Sequence, residues 1–150
     1  MAQAGGDPAL ERLEALVGEW TMEAAPPGGS PWAGGMGRVS FEWLNGERFL
    51  IQRWTVEVPE APDGIAIIGA GDEPGSFRQD YFDSRGVRRV YEMNLAEGVW
   101  KLWRDAPDPF PQRYIGTFSD DGKAITGRWE KAADVSHWET DFDLTYRRVE

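Results

Sequence analysis

His137 is the chain's only histidine, and there is no cysteine. Among the carboxylates, Asp80 with Asp83 and Asp120 with Asp121 stand close enough in sequence to act as pairs. These groups bound the chemistry on offer. One imidazole, no thiolate and scattered carboxylates match no common zinc ligand set, so no metal is expected. A Ser/His/Asp relay needs its histidine placed between two partners, and no ordering of the residues singles one out. Turn chemistry accounts for Asp83, Asp120 and Asp121 without catalysis, and cross-strand pairing with Arg88 is a further way to hold Asp83. The run "GIAIIGAG" at 64–71 has glycines after an apolar stretch, but no helix follows to receive a phosphate. In the closing stretch "HWETDFDLTYRR", residues 137–148, period-2 alternation places Trp138, Phe142, Leu144 and Tyr146 on one face. His137 then shares the other, solvated face with Glu139, Asp141 and Asp143.

Composition narrows the partners. The 150 residues carry 26 acidic and 16 basic side chains, a net charge of −10. An acidic surface repels phosphate backbones and anionic lipid, which argues against nucleic acid and membrane as partners. The basic run "SRGVRR" is too short, and too near Asp80 and Asp83, to be a nucleic-acid patch. The absence of cysteine, of a signal-like start and of any long apolar run leads to the expectation of a cytoplasmic protein. Aromatic residues are 13% of the chain and include eight tryptophans, a payload that suits a thick core or an aromatic-walled pocket.

The elements that position these groups follow from periodicity. One domain over residues 1–150 is expected, with 1–7 disordered. Asp7 and Pro8 open a short helix that runs to Leu16, with Leu10, Leu13, Leu16 and Val17 on one face. A Gly/Pro-rich loop at 25–37 carries an exposed Trp32. Strands are expected at about 19–24, 37–44, 47–58, 64–71, 76–84, 87–95, 99–104, 111–119, 123–131 and 136–148. Asn45-Gly46, Arg85-Gly86, Glu97-Gly98 and Asp121-Gly122 supply turns, and Pro59, Pro62, Pro74, Pro107, Pro109 and Pro111 fall between strands. About ten strands in a meander would leave two edges, and closing into a barrel removes them. The expected fold is therefore all-β: an antiparallel meander closed into a barrel, with one short N-terminal helix.

Hairpin register then sorts the faces. A two-residue Asn45-Gly46 turn puts Trp43 opposite Arg48, Phe41 opposite Leu50 and Val39 opposite Gln52, with Trp54 continuing the inner face. Around Asp121-Gly122, Phe118 meets Ile125, Gly116 meets Gly127 and Tyr114 meets Trp129; the facing glycines leave space or allow a bend. A three-residue loop over Ala96–Gly98 pairs Leu95 with Val99, Met93 with Lys101 and Tyr91 with Trp103, with Arg89 next on that face. The candidate ligand-binding residues are thus Trp43, Gln52, Trp54, Gln79, Tyr81, Arg89, Tyr91, Trp103, Tyr114 and Trp129. An aromatic-lined cavity with a few convergent polar groups is the usual form of a small-molecule site. An inward arginine needs an acid, water or an anionic ligand. The expected function is binding of a small apolar or amphipathic molecule. Two alternatives stand beside it: proton transfer or hydrolysis in the same cavity, using Arg89 with an inward acid or tyrosine, and a filled barrel whose surface, Trp32 included, forms a homodimer or partner contact.

"LVGEW" at 16–20 resembles the Gly-x-Trp signature of calycins, the superfamily of lipocalins and fatty-acid-binding proteins. The resemblance implies that Trp20 sits at the barrel floor under an arginine from the last strand, either Arg147 or Arg148. Residues 8–148 also resemble a bacterial calycin-like family, on "YFDSRGVRRVYEMNL", "VWKLWRDAP", "GTFSDDGKAITGRWEK" and "DFDLTYRR"; that likeness implies a fold and no activity. The Arg-x-Tyr with which fatty-acid-binding proteins hold a carboxylate is Leu144-Thr145-Tyr146 here, so its arginine is missing. Nitrobindin-like barrels hold haem through a histidine near the last strand, which implies haem at His137 as an alternative to a cofactor-free barrel.

Overall fold

A computed structural model describes residues 8–30, 36–57, 62–104, 111–132 and 137–149. Trp32, residues 1–7, Pro59, Pro107 and Pro109 lie outside them. Ten strands follow the helix Pro8–Leu16: β1 (Gly18–Ala25), β2 (Met36–Trp43), β3 (Leu50–Val56), β4 (Gly64–Ala70), β5 (Phe77–Asp83), β6 (Arg88–Ala96), β7 (Val99–Arg104), β8 (Gln112–Phe118), β9 (Ala124–Ala132) and β10 (Trp138–Arg148). Each strand pairs antiparallel with its sequence neighbours, and β1 pairs with β10 to close the barrel. Closure satisfies both edges, as expected for a meander of this length.

The helix is wound as a 3-10 helix, and its spacing explains why. Leu10, Leu13 and Leu16 recur every third residue, the 3-10 repeat, so all three stack on one face and are buried. That face packs against the ends of β4 and β6 and covers one end of the barrel. Arg12 fastens it by donating to the Leu95 and Gly75 carbonyls at 2.7 and 2.6 Å. Trp43 Nε1 donates to Glu14 at 2.6 Å. The covered end is the floor and the opposite end the mouth.

Two hairpins differ from the expected register. Between β2 and β3 the loop is longer than two residues, because both Gly46 and Glu47 take positive φ and the Leu44 amide bonds to the Phe49 carbonyl. Trp43 therefore faces Leu50, and Phe41 faces Gln52. The slip is two residues, an even number, so each side chain keeps its face. Between β6 and β7 the loop is shorter than expected. Glu97 and Gly98 both have positive φ, a two-residue turn, and Leu95 faces Trp100 while Glu92 faces Trp103. That slip is one residue, so β7 turns over. Trp100 and Leu102 point inward and are buried, whereas Trp103 and Lys101 point outward. The Asp121-Gly122 hairpin has the expected register throughout.

Candidate functional site

The inward residues near the floor form a solid core. Trp20, Phe41, Phe77, Trp100 and Tyr114 are each at most 2% exposed. Phe41 of β2 meets Trp100 of β7 edge-on at 6.1 Å, across the barrel's width. Tyr114 lies over Gly116 and Gly127, so the space left by the facing glycines is occupied by its own ring. Its hydroxyl donates to the Leu144 carbonyl at 3.3 Å. Arg148 crosses Trp20 at 4.2 Å and donates to the Val17 and Ala15 carbonyls, which selects it over Arg147 as the arginine at the barrel floor.

Toward the mouth the rings continue but burial is incomplete. Trp54 and Tyr81 stand 5.4 Å apart, Tyr81 and Tyr91 6.2 Å, and Tyr91 and Trp129 5.7 Å. Trp54, Tyr81 and Trp129 are only half-buried, as is Arg89, which faces Tyr81 across the β5–β6 ladder. The Arg89 guanidinium lies 5.9 Å from the Tyr81 ring centre. Its Nε is buried and has no hydrogen-bond acceptor among the described residues. Arg104, at the end of β7, is 8% exposed and points the same way as Trp100 and Leu102. Tyr91 donates to Gln112 at 3.2 Å.

Electrostatics follow from this layout. Burial pushes the Tyr91 hydroxyl up, while Arg89 and Arg104 beside it pull in the other direction. Burial, followed by its hydrogen bond to Asp83, pushes Tyr81 well above the ordinary phenol range. Burial also raises Tyr114 and Tyr146. All four tyrosines are therefore protonated donors at neutral pH, not bases. Asp83 behaves oppositely. Burial works to raise its carboxyl, but bonds from Arg85, Tyr81 and the Arg85 and Val87 amides outweigh this and hold it well below the usual carboxylate range. The partner that holds Asp83 is thus Arg85, at 2.6 Å, rather than Arg88.

The ten sequence candidates divide by height and by face. Trp54, Tyr81, Arg89, Tyr91 and Trp129 gather at the mouth, with Tyr114 beneath them. Gln79 donates to Gln52 at 3.1 Å inside the core, so these two amides hold each other. Trp43 lies at the floor, bonded to the helix, and Trp103 lies on the outer face of β7. The sequence reading does not bring Arg104 or Gln112 to the mouth; a two-residue Glu97-Gly98 turn points Arg104 inward there and Trp100 inward into the floor core.

The last strand also departs from strict alternation. A bulge between Thr140 and Phe142 reverses the faces ahead of it. Trp138 therefore leaves the Phe142–Tyr146 face and stacks outside on Arg113 at 4.0 Å. His137 is exposed just before β10. Haem needs an axial imidazole aimed into a wide apolar slot. An exposed imidazole and a floor spanned by interlocked rings fit that need poorly. Among the described residues, no group of three or more His, Cys, Asp or Glu is gathered as a metal ion would require. No helix among them is long and apolar enough to cross a membrane.

The fold and the site together define a closed ten-stranded antiparallel barrel with a packed floor and, toward the mouth, inward rings that are only partly buried. No protein-family model matches the chain, and no curated protein matches it. Among solved structures, the crystal structure of Rv2717c from M. tuberculosis is similar, with a TM-score of 0.66 and 18% identity over 97% of this chain and 99% of that one. At that identity the likeness is one of fold.

Proposed function

We propose that the barrel binds a small amphipathic molecule at its mouth, with the apolar part against Trp54, Tyr81, Tyr91 and Trp129. The observation that supports this is the gradient of burial along one continuous row of rings. Trp20 and Trp100 at the floor are 0% and 1% exposed, whereas the inward Trp54 and Trp129 remain half-buried. Inward aromatic faces left partly wet gain contact area from a guest at little entropic cost to themselves. Tyr91, Gln112 and Arg89 supply the few polar groups that orient such a guest.

Tryptophan emission tests this. Titration of the full chain with 2-naphthoate, 2-naphthamide, decanoate and decanamide is expected to change emission with at least one of them. The double variant Trp54→Phe/Trp129→Phe is expected to lose most of that response, and Trp100→Phe to keep it. Silence from all four compounds, or an undiminished response from the double variant, would sink the proposal.

A further inference from the structure

We propose that the mouth recognises an anionic head group, held by Arg89 and Arg104, so that the guest is an amphipathic organic acid rather than a neutral molecule. This deepens the small-molecule reading above and rests on it. The β6–β7 ladder ends at the Glu92–Trp103 pair, and both arginines lie beyond that point on the mouth side. A cleft of about 500 Å³ opens beside this point, mainly on the outer face of β5 and β6. It is lined by the outward Arg78 and Arg88 and by Arg89 and Arg104 from the inward face, against Asp80 as the one carboxylate among its lining residues. Asp80 is already paired with Arg78 at 3.3 Å. On a chain with a net charge of −10, such a concentration of guanidinium groups makes a local positive field.

Three details point this field at a ligand. Arg89 forms no ion pair among the described residues, and its buried Nε has no acceptor there. A buried donor of this kind is stabilised when an anion arrives. The inward carboxylate at the end of β5, Asp83, is not at its disposal. It accepts from Tyr81 at 2.6 Å, from Arg85 at 2.6 Å and from the Arg85 amide at 2.9 Å. Tyr91, whose hydroxyl stands beside both arginines, spends its proton on Gln112. Guanidinium groups rather than ammonium groups also suit a planar, two-oxygen anion, which they bind through paired N–H donors. The rings of Tyr81 and Tyr91 adjoin the same arginines, so one guest can touch both charge and aromatic wall.

If the arginines merely pack on rings, binding will ignore the guest's charge. Calorimetric titration of the full chain with the matched pairs 2-naphthoate/2-naphthamide and decanoate/decanamide separates the two readings. At low salt the acids are expected to bind about tenfold more tightly than their amides. The gap should shrink at about 0.5 M salt. It should close in Arg89→Gln and in Arg104→Gln, and persist in Arg89→Lys, which keeps the charge if the glutamine variants fold poorly. Far-UV circular dichroism confirms that each variant is folded. Equal binding of acid and amide overturns the anion inference and leaves the small-molecule reading standing. No binding by any of the four compounds overturns both.

Discussion

At the scale of single residues, polar groups inside the barrel fall into those that satisfy one another and those that do not. Gln52 and Gln79 form a mutual pair, and Asp83 is saturated by Tyr81, Arg85 and two backbone amides. Arg89 and Trp100 are exceptions: the Nε of the one and the Nε1 of the other are buried with no acceptor among the described residues. The sequence marks Gln52, Gln79 and Arg89 as inward polar side chains and Asp83 as a turn residue, but partner geometry is a matter of distances that no spacing encodes. Asp83 carries a prediction. Its folded-state pKa is depressed, so its stabilising contribution is present above the unfolded value near about 3.9 and is lost as pH falls toward the folded value. Asp83→Asn is expected to lower stability at pH 7 by about 1 kcal/mol, the partner Arg85 being half-exposed. In urea unfolding series the difference from wild type should narrow as pH drops below about 4. A difference that stays constant down to acid pH would refute the assignment.

At the scale of elements, turns decided which expectations held. The Asp121-Gly122 hairpin came out as read, and Tyr114, Gly116 and Phe118 found their partners. The Glu97-Gly98 turn is one residue shorter than read, and that single residue exchanged Trp103 for Trp100 inside the barrel. Turn length is only weakly legible, because Glu97 adopts a positive φ that its side chain does not advertise. The bulge near Asp141 is similarly silent in sequence, yet it moves Trp138 to the outside. The facing glycines of β8 and β9 yield a test. A methyl group at Gly127 would collide with the Tyr114 ring, which has core on its other sides. Gly127→Ala is expected to cost about 1–3 kcal/mol by overpacking. A urea midpoint equal to wild type would show that the ring can move freely.

At the scale of the whole molecule, the barrel is held shut by pairing between the strands nearest its two termini and by one side chain across them. Arg148, at the end of β10, reaches the Ala15 and Val17 carbonyls and covers Trp20, so it ties β10 to the link between helix and β1. Arg148→Ala is expected to remove about 2–3 kcal/mol, from two charge-assisted hydrogen bonds and a cation–π contact. Hydrogen exchange should show the loss as faster exchange of β1 and β10 amides; unchanged exchange there would place the closure elsewhere. The sequence by itself determined the class of fold: alternating strands, turn residues and prolines between them dictate a meander, and a meander of this length closes. It also determined most inward faces, since period-2 alternation survives any slip of an even number of residues. Only the tertiary structure decided that the rings at the floor are packed solid while Trp54, Tyr81 and Trp129 stay partly exposed, and that Arg89 and Arg104 line one cleft. Those facts depend on which strands lie opposite one another across the barrel and how far each ring reaches, and closure sets both for all ten strands at once.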